Sequence, residues 1–241
     1  MSAHTNEKRR HFLRQSAAFI PIVSLGGTVL HSAFADQPNA PPLESYAPVF
    51  FDAAEWTFIK AACDRLIPAN ADGPGALETN VPVFIDLELK GGFGAAEDWY
   101  MEGPFDPHAP SAAGYQLPYT PREVYRKGIA ATSKYCQQSH QKAFDALDAA
   151  ARDQVLTALE HDKIDFAQFG EPQMKASAFF SFLLQNTKEG YLADPIHGGN
   201  RAMGSWKMIG FPGARASYTE WIDQHNVPYP LGPVDLAGRR G

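Results

Sequence analysis

Residues 177–188 read Ser-Ala-Phe-Phe-Ser-Phe-Leu-Leu-Gln-Asn-Thr-Lys. Phe179, Phe180, Phe182, Leu183 and Leu184 recur at helical spacing and cover a wide arc. A helix apolar over such an arc has to be central in a fold or covered by a partner. Gly190 follows at the position expected of a C-terminal cap.

Working outward, the other start signals are helical too. Asp52 with Glu55 three residues on makes a capping box, followed by Trp56, Ile59, Cys63 and Leu66 on one face and then Pro68. Residues 81–90 carry Pro82 in the first turn and stop at Gly91-Gly92. Thr120-Pro121-Arg122-Glu123 opens a third helix, running to about Gln138. Further helices are expected around residues 141–149, over 151–160 with Val155, Leu156 and Leu159 inward, and as a short piece over 218–224. Residues 229–234 read as extended. No alternation of apolar residues is long enough for a substantial sheet. The expectation is an all-α fold, one mainly helical domain with long Gly/Pro-rich loops.

One of those loops is residues 98–119, where Trp99, Tyr100, Phe105, Tyr115 and Tyr119 alternate with Pro104, Pro107, Pro110 and Pro118. Prolines at this density forbid a regular helix. The aromatics either form an interface or fold back on their own core.

The N-terminus carries a different kind of signal. Lys8-Arg9-Arg10-His11-Phe12-Leu13-Arg14 is a twin-arginine pair with Phe12 and Leu13 at the offsets of an export signal. An apolar run to Leu30 follows, and Ala33-Phe34-Ala35 offers a small-x-small cleavage site. As a membrane anchor the run is shorter than the about 20 residues of a spanning helix. Residues 1–35 are therefore set apart as signal, 36–50 as an extended linker and 51–241 as the folded domain. Without residues 1–35 the chain loses four basic groups and one acidic group, and its formal charge moves from −6 to −9. An acidic chain argues against nucleic acid as a partner.

The twin-arginine route carries proteins that fold before crossing, commonly with a cofactor inserted. The chain has no Cys-x-x-Cys-His, no cysteine cluster and no strand leading into Gly-x-Gly-x-x-Gly. An export signal of this type without a cofactor motif places the cofactor on a partner. Cys63 and Cys136 are the two cysteines. They form either one disulfide in an oxidising compartment or two buried free thiols on separate helices. Of the five histidines beyond residue 35, His197 alone has a distinctive setting. It would serve as a catalytic base if Asp194 oriented it; otherwise it bonds to the loop backbone or faces a partner.

That setting is residues 190–214, with Gly190, Gly198, Gly199, Gly204, Gly210 and Gly213. So many glycines raise the entropy lost on folding, and the loop must be held by its large side chains. Tyr191, Met203, Trp206, Met208, Ile209 and Phe211 are expected inward, with Asn200, Arg201 and Lys207 outward. His-Gly-Gly-Asn-Arg (197–201) followed by Trp-Lys-Met-Ile-Gly-Phe-Pro-Gly-Ala-Arg (206–215) resembles the signature of the gluconate 2-dehydrogenase subunit 3 family, and the resemblance extends over about residues 51–236. Ala202, Ser205 and His197 stand where that pattern often has an acidic residue, a glycine and an aromatic.

The resemblance implies a noncatalytic small subunit of a three-part enzyme on the periplasmic side of the bacterial inner membrane. A large FAD-bearing subunit oxidises D-gluconate to 2-dehydro-D-gluconate, and a cytochrome c subunit with haem c passes electrons to quinone. This chain would escort the FAD subunit through the twin-arginine translocase. His197, Gly198, Gly199, Asn200, Arg201, Trp206 and Lys207 are then the expected subunit interface. The competing expectation is a free-standing periplasmic enzyme or metal protein using His197 and Asp194.

Overall fold

The computed structural model describes residues 41–106 and 109–241. Four of the long helices start on chemistry local to their first turn. The Asp52 carboxylate accepts the Glu55 N–H at 2.9 Å and Glu55 accepts the Asp52 N–H at 3.0 Å, opening α1, Ala53–Leu66. Asn80, in the left-handed region, precedes α2, Val81–Lys90, with Pro82 in its first turn; the one-turn α3 is Gly92–Ala95. The Glu123 carboxylate accepts both the N–H and the hydroxyl of Thr120 at 2.8 Å, and α4 runs Pro121–His140. Asp148 caps α5, Ala149–Glu160, through the Ala151 N–H. The chain continues with α6, Ala176–Leu192, and α7, Gly204–Ile209.

The described residues form no strand, only isolated bridges, and the fold is all-α. None of their helices is long and apolar enough to cross a membrane.

Helix α6 is the centre. It packs on α1, α2, α4, α5 and α7 and buries Phe179, Phe180 and Leu183. Burying each such side chain stabilises the fold by about 1.5–3 kcal/mol. The rest of its apolar arc is covered from within the chain: the Phe182 ring lies 6.4 Å from Phe93, 6.2 Å from Trp99 and 5.9 Å from Tyr115. The aromatic and proline-rich loop thus folds back on its own core through Trp99 and Tyr115, while Tyr100 stays 74% exposed.

Three local expectations change. Helix α6 does not end at Gly190 but runs two residues further, and Gly190 is buried inside it. No helix fills 141–149: Gln141 turns left-handed at φ 57° and ends α4, and a single 3-10 turn, Phe144–Ala146, follows. One turn is enough to set Phe144 against Phe58, 4.6 Å between centroids. The short piece over 218–224 contracts to a 3-10 turn, Thr219–Trp221.

Residues 41–50, the described part of the stretch read as linker, are docked. Asp86, on α2 and 0% exposed, accepts the Tyr46 hydroxyl at 2.7 Å and the N–H groups of Val49, Phe50 and Phe51 at 2.7, 3.0 and 2.9 Å. Four donors offset the cost of burying the carboxylate. Burial, and then the Asp86 carboxylate, pushes the Tyr46 hydroxyl well above its ordinary pKa. Asn80 Nδ2 donates to the Pro41 carbonyl at 2.9 Å. Arg126 pairs with Glu55, donates to the Phe50 carbonyl at 2.6 Å and lies over the Phe50 ring. The signal residues Arg9, Arg10, Phe12, Leu13, Ala33 and Ala35 lie outside the described residues.

Candidate functional site

The last turn of α6 is the frame on which the glycine-rich stretch is built. Its carbonyls are taken up in succession by the loop that follows. Gly190 O accepts the Asn200 N–H at 3.0 Å. Tyr191 O accepts the Ser205 hydroxyl, Leu192 O accepts Trp206 Nε1–H at 2.8 Å, and Ala193 O accepts from Asn200 Nδ2 at 2.9 Å. Helix-terminal carbonyls without such partners would be orphaned. Here the loop supplies the donors.

Asn200 is the hub, 0% exposed. Its Oδ1 accepts the Ser205 N–H at 3.1 Å and lies 2.6 Å from the Ser205 hydroxyl. Asn200, Ala202 and Met203 all have positive φ, 42°, 56° and 54°. Asn tolerates that region through its short polar side chain, but Ala and Met adopt it only when the surroundings impose it. The next N–H, of Arg201, donates to Thr79 O at 3.1 Å. The loop is thereby fastened to the start of α2 as well as to the end of α6.

The seven residues expected at an interface divide into two groups. Gly198, Gly199, Asn200 and Trp206 are buried and form the frame; His197 and Lys207 are exposed and Arg201 is half-buried. The expected sorting of the large side chains holds for Tyr191, Met203 and Trp206, which are inward. It fails for Met208, Ile209 and Phe211, which are 40%, 55% and 44% exposed. Within α7 the buried residues are Ser205 and Trp206, and Met203 reaches the interior from the left-handed position just before the helix. Residues 207–209 are left exposed, as are Leu192 and Ile196. Asn200 goes inward because the α6 carbonyls need a donor.

Asp194 is a clasp. Its Oδ1 accepts the Ile196 N–H at 3.1 Å, and its Oδ2 accepts the Leu236 N–H at 2.8 Å. Both carboxylate oxygens hold backbone, the second one pinning the C-terminal segment beside the loop. A carboxylate on α2 senses His197: burial raises the pKa of Glu88, His197 opposes the rise and Glu189 adds to it. Among the described residues no group of three His, Cys, Asp or Glu could hold a metal ion.

Cys63 and Cys136 are free thiols, both buried. Cys63 Sγ lies 3.7 Å from Thr187 Oγ1, and burial pushes its thiol up to about 12 and that of Cys136 to about 11. A separate cleft of 720 Å³ is lined by Phe105, Leu117, Ile164, Asp165 and Lys175 among others. Asp162 at its wall holds the N–H and hydroxyl of Ser177 at 2.8 and 2.9 Å. None of the glycine-rich loop lines this cleft.

Residues 53–213 match a family model described as gluconate 2-dehydrogenase subunit 3. The match begins with α1 and ends where Gly213 bridges to Val234. No curated protein and no solved structure matches the chain.

Proposed function

The chain belongs to the gluconate 2-dehydrogenase subunit 3 family, and on that premise we propose that it is the noncatalytic small subunit of a flavin-dependent dehydrogenase. The family's description places it in a multi-subunit dehydrogenase complex. In our reading the partners are a large FAD-bearing subunit, which oxidises D-gluconate to 2-dehydro-D-gluconate, and a cytochrome c subunit with haem c. The complex sits on the periplasmic side of the inner membrane. Arg9 and Arg10 provide the export signal for this chain and, by escort, for the FAD subunit; the small subunit then stays bound and stabilises it by mass action.

The observation that carries this reading is the outward face of the glycine-rich loop. Leu192, Ile196, Met208, Ile209 and Phe211 are all exposed on a segment fastened at almost every residue. Exposed apolar side chains on a firmly held segment call for a cover, and His197 and Lys207 of the same segment are exposed with them. A free-standing enzyme using His197 and Asp194 is not favoured, because both Asp194 oxygens are engaged by backbone N–H groups.

The test is a pull-down of the C-terminally tagged chain from membranes, with an absorption spectrum and a subunit gel. A large partner with flavin and haem bands, turning over gluconate, is the expected result. A colourless single band would overturn it. Conversion of Arg9 and Arg10 to Lys should leave the flavin subunit inside the cell; its continued arrival in the periplasm would defeat the escort role.

A further inference from the structure

Beyond residue 213, where the family match stops, the chain leaves the helical body and returns through one neck. The neck is made by the Gly213–Val234 bridge, with the Ala214 N–H donating to Val234 O at 2.6 Å and the Val234 N–H to Pro212 O at 3.2 Å. Residues 214–233 between them bury almost nothing against the helices. A loop of this length is usually functional or a linker, and this one is built. Tyr229 is its hub, with Tyr218 at 5.8 Å, Trp221 at 5.2 Å and the Arg215 guanidinium over its ring at 5.3 Å. Arg215 also donates to the Gly232 carbonyl, so the arm is closed on itself.

Outside this small aromatic centre stand Ile222, Val227 and Leu231, 66%, 50% and 52% exposed. Glu220 and Asp223, on either side of Ile222 in the chain, are exposed too and form no ion pair among the described residues. The arm is continuous with the loop face: past the neck, Leu236 is 67% exposed and its N–H is held by Asp194, next to Leu192 and Ile196.

We propose that residues 214–233 are a second docking arm, which grips the same dehydrogenase subunit that covers the glycine-rich loop, on an apolar patch bordered by Lys or Arg. The inference rests on the proposed subunit function. An arm that exposes three aliphatic side chains together with two unpaired carboxylates calls for that complement. A second copy of the chain would oppose carboxylates to carboxylates in an already acidic protein, and an anionic lipid surface would repel them.

The test uses the full complex from cells making all subunits, with this chain tagged and the flavin-bearing subunit followed by its spectrum and gel band. Two arm variants are compared with Ile209→Glu on the loop face: Ile222→Glu with Val227→Glu, and residues 215–232 replaced by Gly-Ser across the neck. Both arm variants should weaken retention of the flavin subunit at least tenfold while the isolated chain melts as wild type does. Glu220→Lys with Asp223→Lys, which spares the packing, should reduce retention and flatten its salt dependence. Unchanged retention in every arm variant, with Ile209→Glu still losing the partner, overturns the arm and leaves the subunit function intact. Absence of any flavin subunit from the wild-type pull-down overturns both. If the arm variants instead abolish self-association of the isolated chain, or its cosedimentation with phosphatidylglycerol vesicles, the assigned partner is wrong.

Discussion

Gly199 lies directly against the main chain of Gly190: a β-carbon on Gly199 would stand 2.2 Å from the Gly190 carbonyl oxygen. On the other side of the same helix turn, a β-carbon on Gly190 would stand 2.7 Å from the Phe84 ring. Loop and α6 therefore meet main chain to main chain, and α6 meets α2 through the Phe84 ring.

Substitution of either glycine should separate these elements. In an open helix Gly190→Ala would stabilise by about 1 kcal/mol, but here the added methyl meets an aromatic ring. Overpacking of this kind costs about 1–3 kcal/mol. Both Gly190→Ala and Gly199→Ala are expected to lower the free energy of unfolding in urea. A stabilised Gly190→Ala protein would mean that Phe84 moves aside freely.

The Asp86 anchor leads to a second expectation. Asp86→Ala leaves three backbone N–H groups and the Tyr46 hydroxyl without their acceptor. Each buried donor left unsatisfied costs roughly 1–3 kcal/mol, partly relieved if the segment detaches into water. Limited proteolysis should therefore cut first within residues 41–51 of the variant. Tyr46→Phe removes one bond and should cost only about 1 kcal/mol. If the first cleavage falls elsewhere, the segment is not held by Asp86.

These two sites also show which parts of the fold were legible. Helix starts at Asp52, Pro82 and Thr120 depend on residues within one turn, so their chemistry is on view in the chain. Gly190 is different: a glycine that ends a helix and one pressed by a distant ring have the same local surroundings. Phe84 decides between them, and nothing near residue 190 reports it. The docked segment looked like linker because its prolines and alanines have no pattern of their own. Its anchor had left a trace, one aspartate inside the apolar run Val-Pro-Val-Phe-Ile-Asp-Leu, which is an acid that must find donors. At the glycine-rich loop, position was legible and sidedness was not, because polarity sent Asn200 outward where the α6 carbonyls draw it in.

The thiols give a pH dependence with a definite sign. Burial raises Cys63 from 9.0 to about 12 and Cys136 from 9.0 to about 11. The folded state thus keeps its thiol protons longer than the unfolded chain does. By linkage, their contribution is complete below pH 9 and is lost as pH rises toward 11 and 12. Between pH 9 and 11 the unfolding free energy of the wild type should fall more steeply than that of Cys63→Ala. The slope is the readout, since the cavity lowers that variant at every pH. At pH 8 iodoacetamide should add nothing to the native protein and two adducts in urea. Equal slopes would show that Cys63 is not buried as described.

The division of the loop into frame and face can be tested by separating stability from affinity. Asn200 makes its bonds inside the protein, through Oδ1 to Ser205 and Nδ2 to Ala193. Asn200→Ala should cost roughly 2–3 kcal/mol of stability, with alanine also less suited to φ 42°. Ile209 is 55% exposed in the isolated chain, and Phe211, 44% exposed, rests edge-on against the Trp206 ring at 5.0 Å. Ile209→Glu should leave unfolding within about 0.5 kcal/mol of wild type, as surface changes do, and Phe211→Glu should lose in addition only its ring pair with Trp206, about 0.5–1.5 kcal/mol. Yet an apolar side chain buried against a partner contributes about 1.5–3 kcal/mol, so each should weaken retention of the flavin subunit by about one to two orders of magnitude. The two classes should thus separate on a plot of unfolding free energy against dissociation constant. A face variant that unfolds early with affinity intact, or Asn200→Ala with unchanged stability, would mean that frame and face have been assigned the wrong way round.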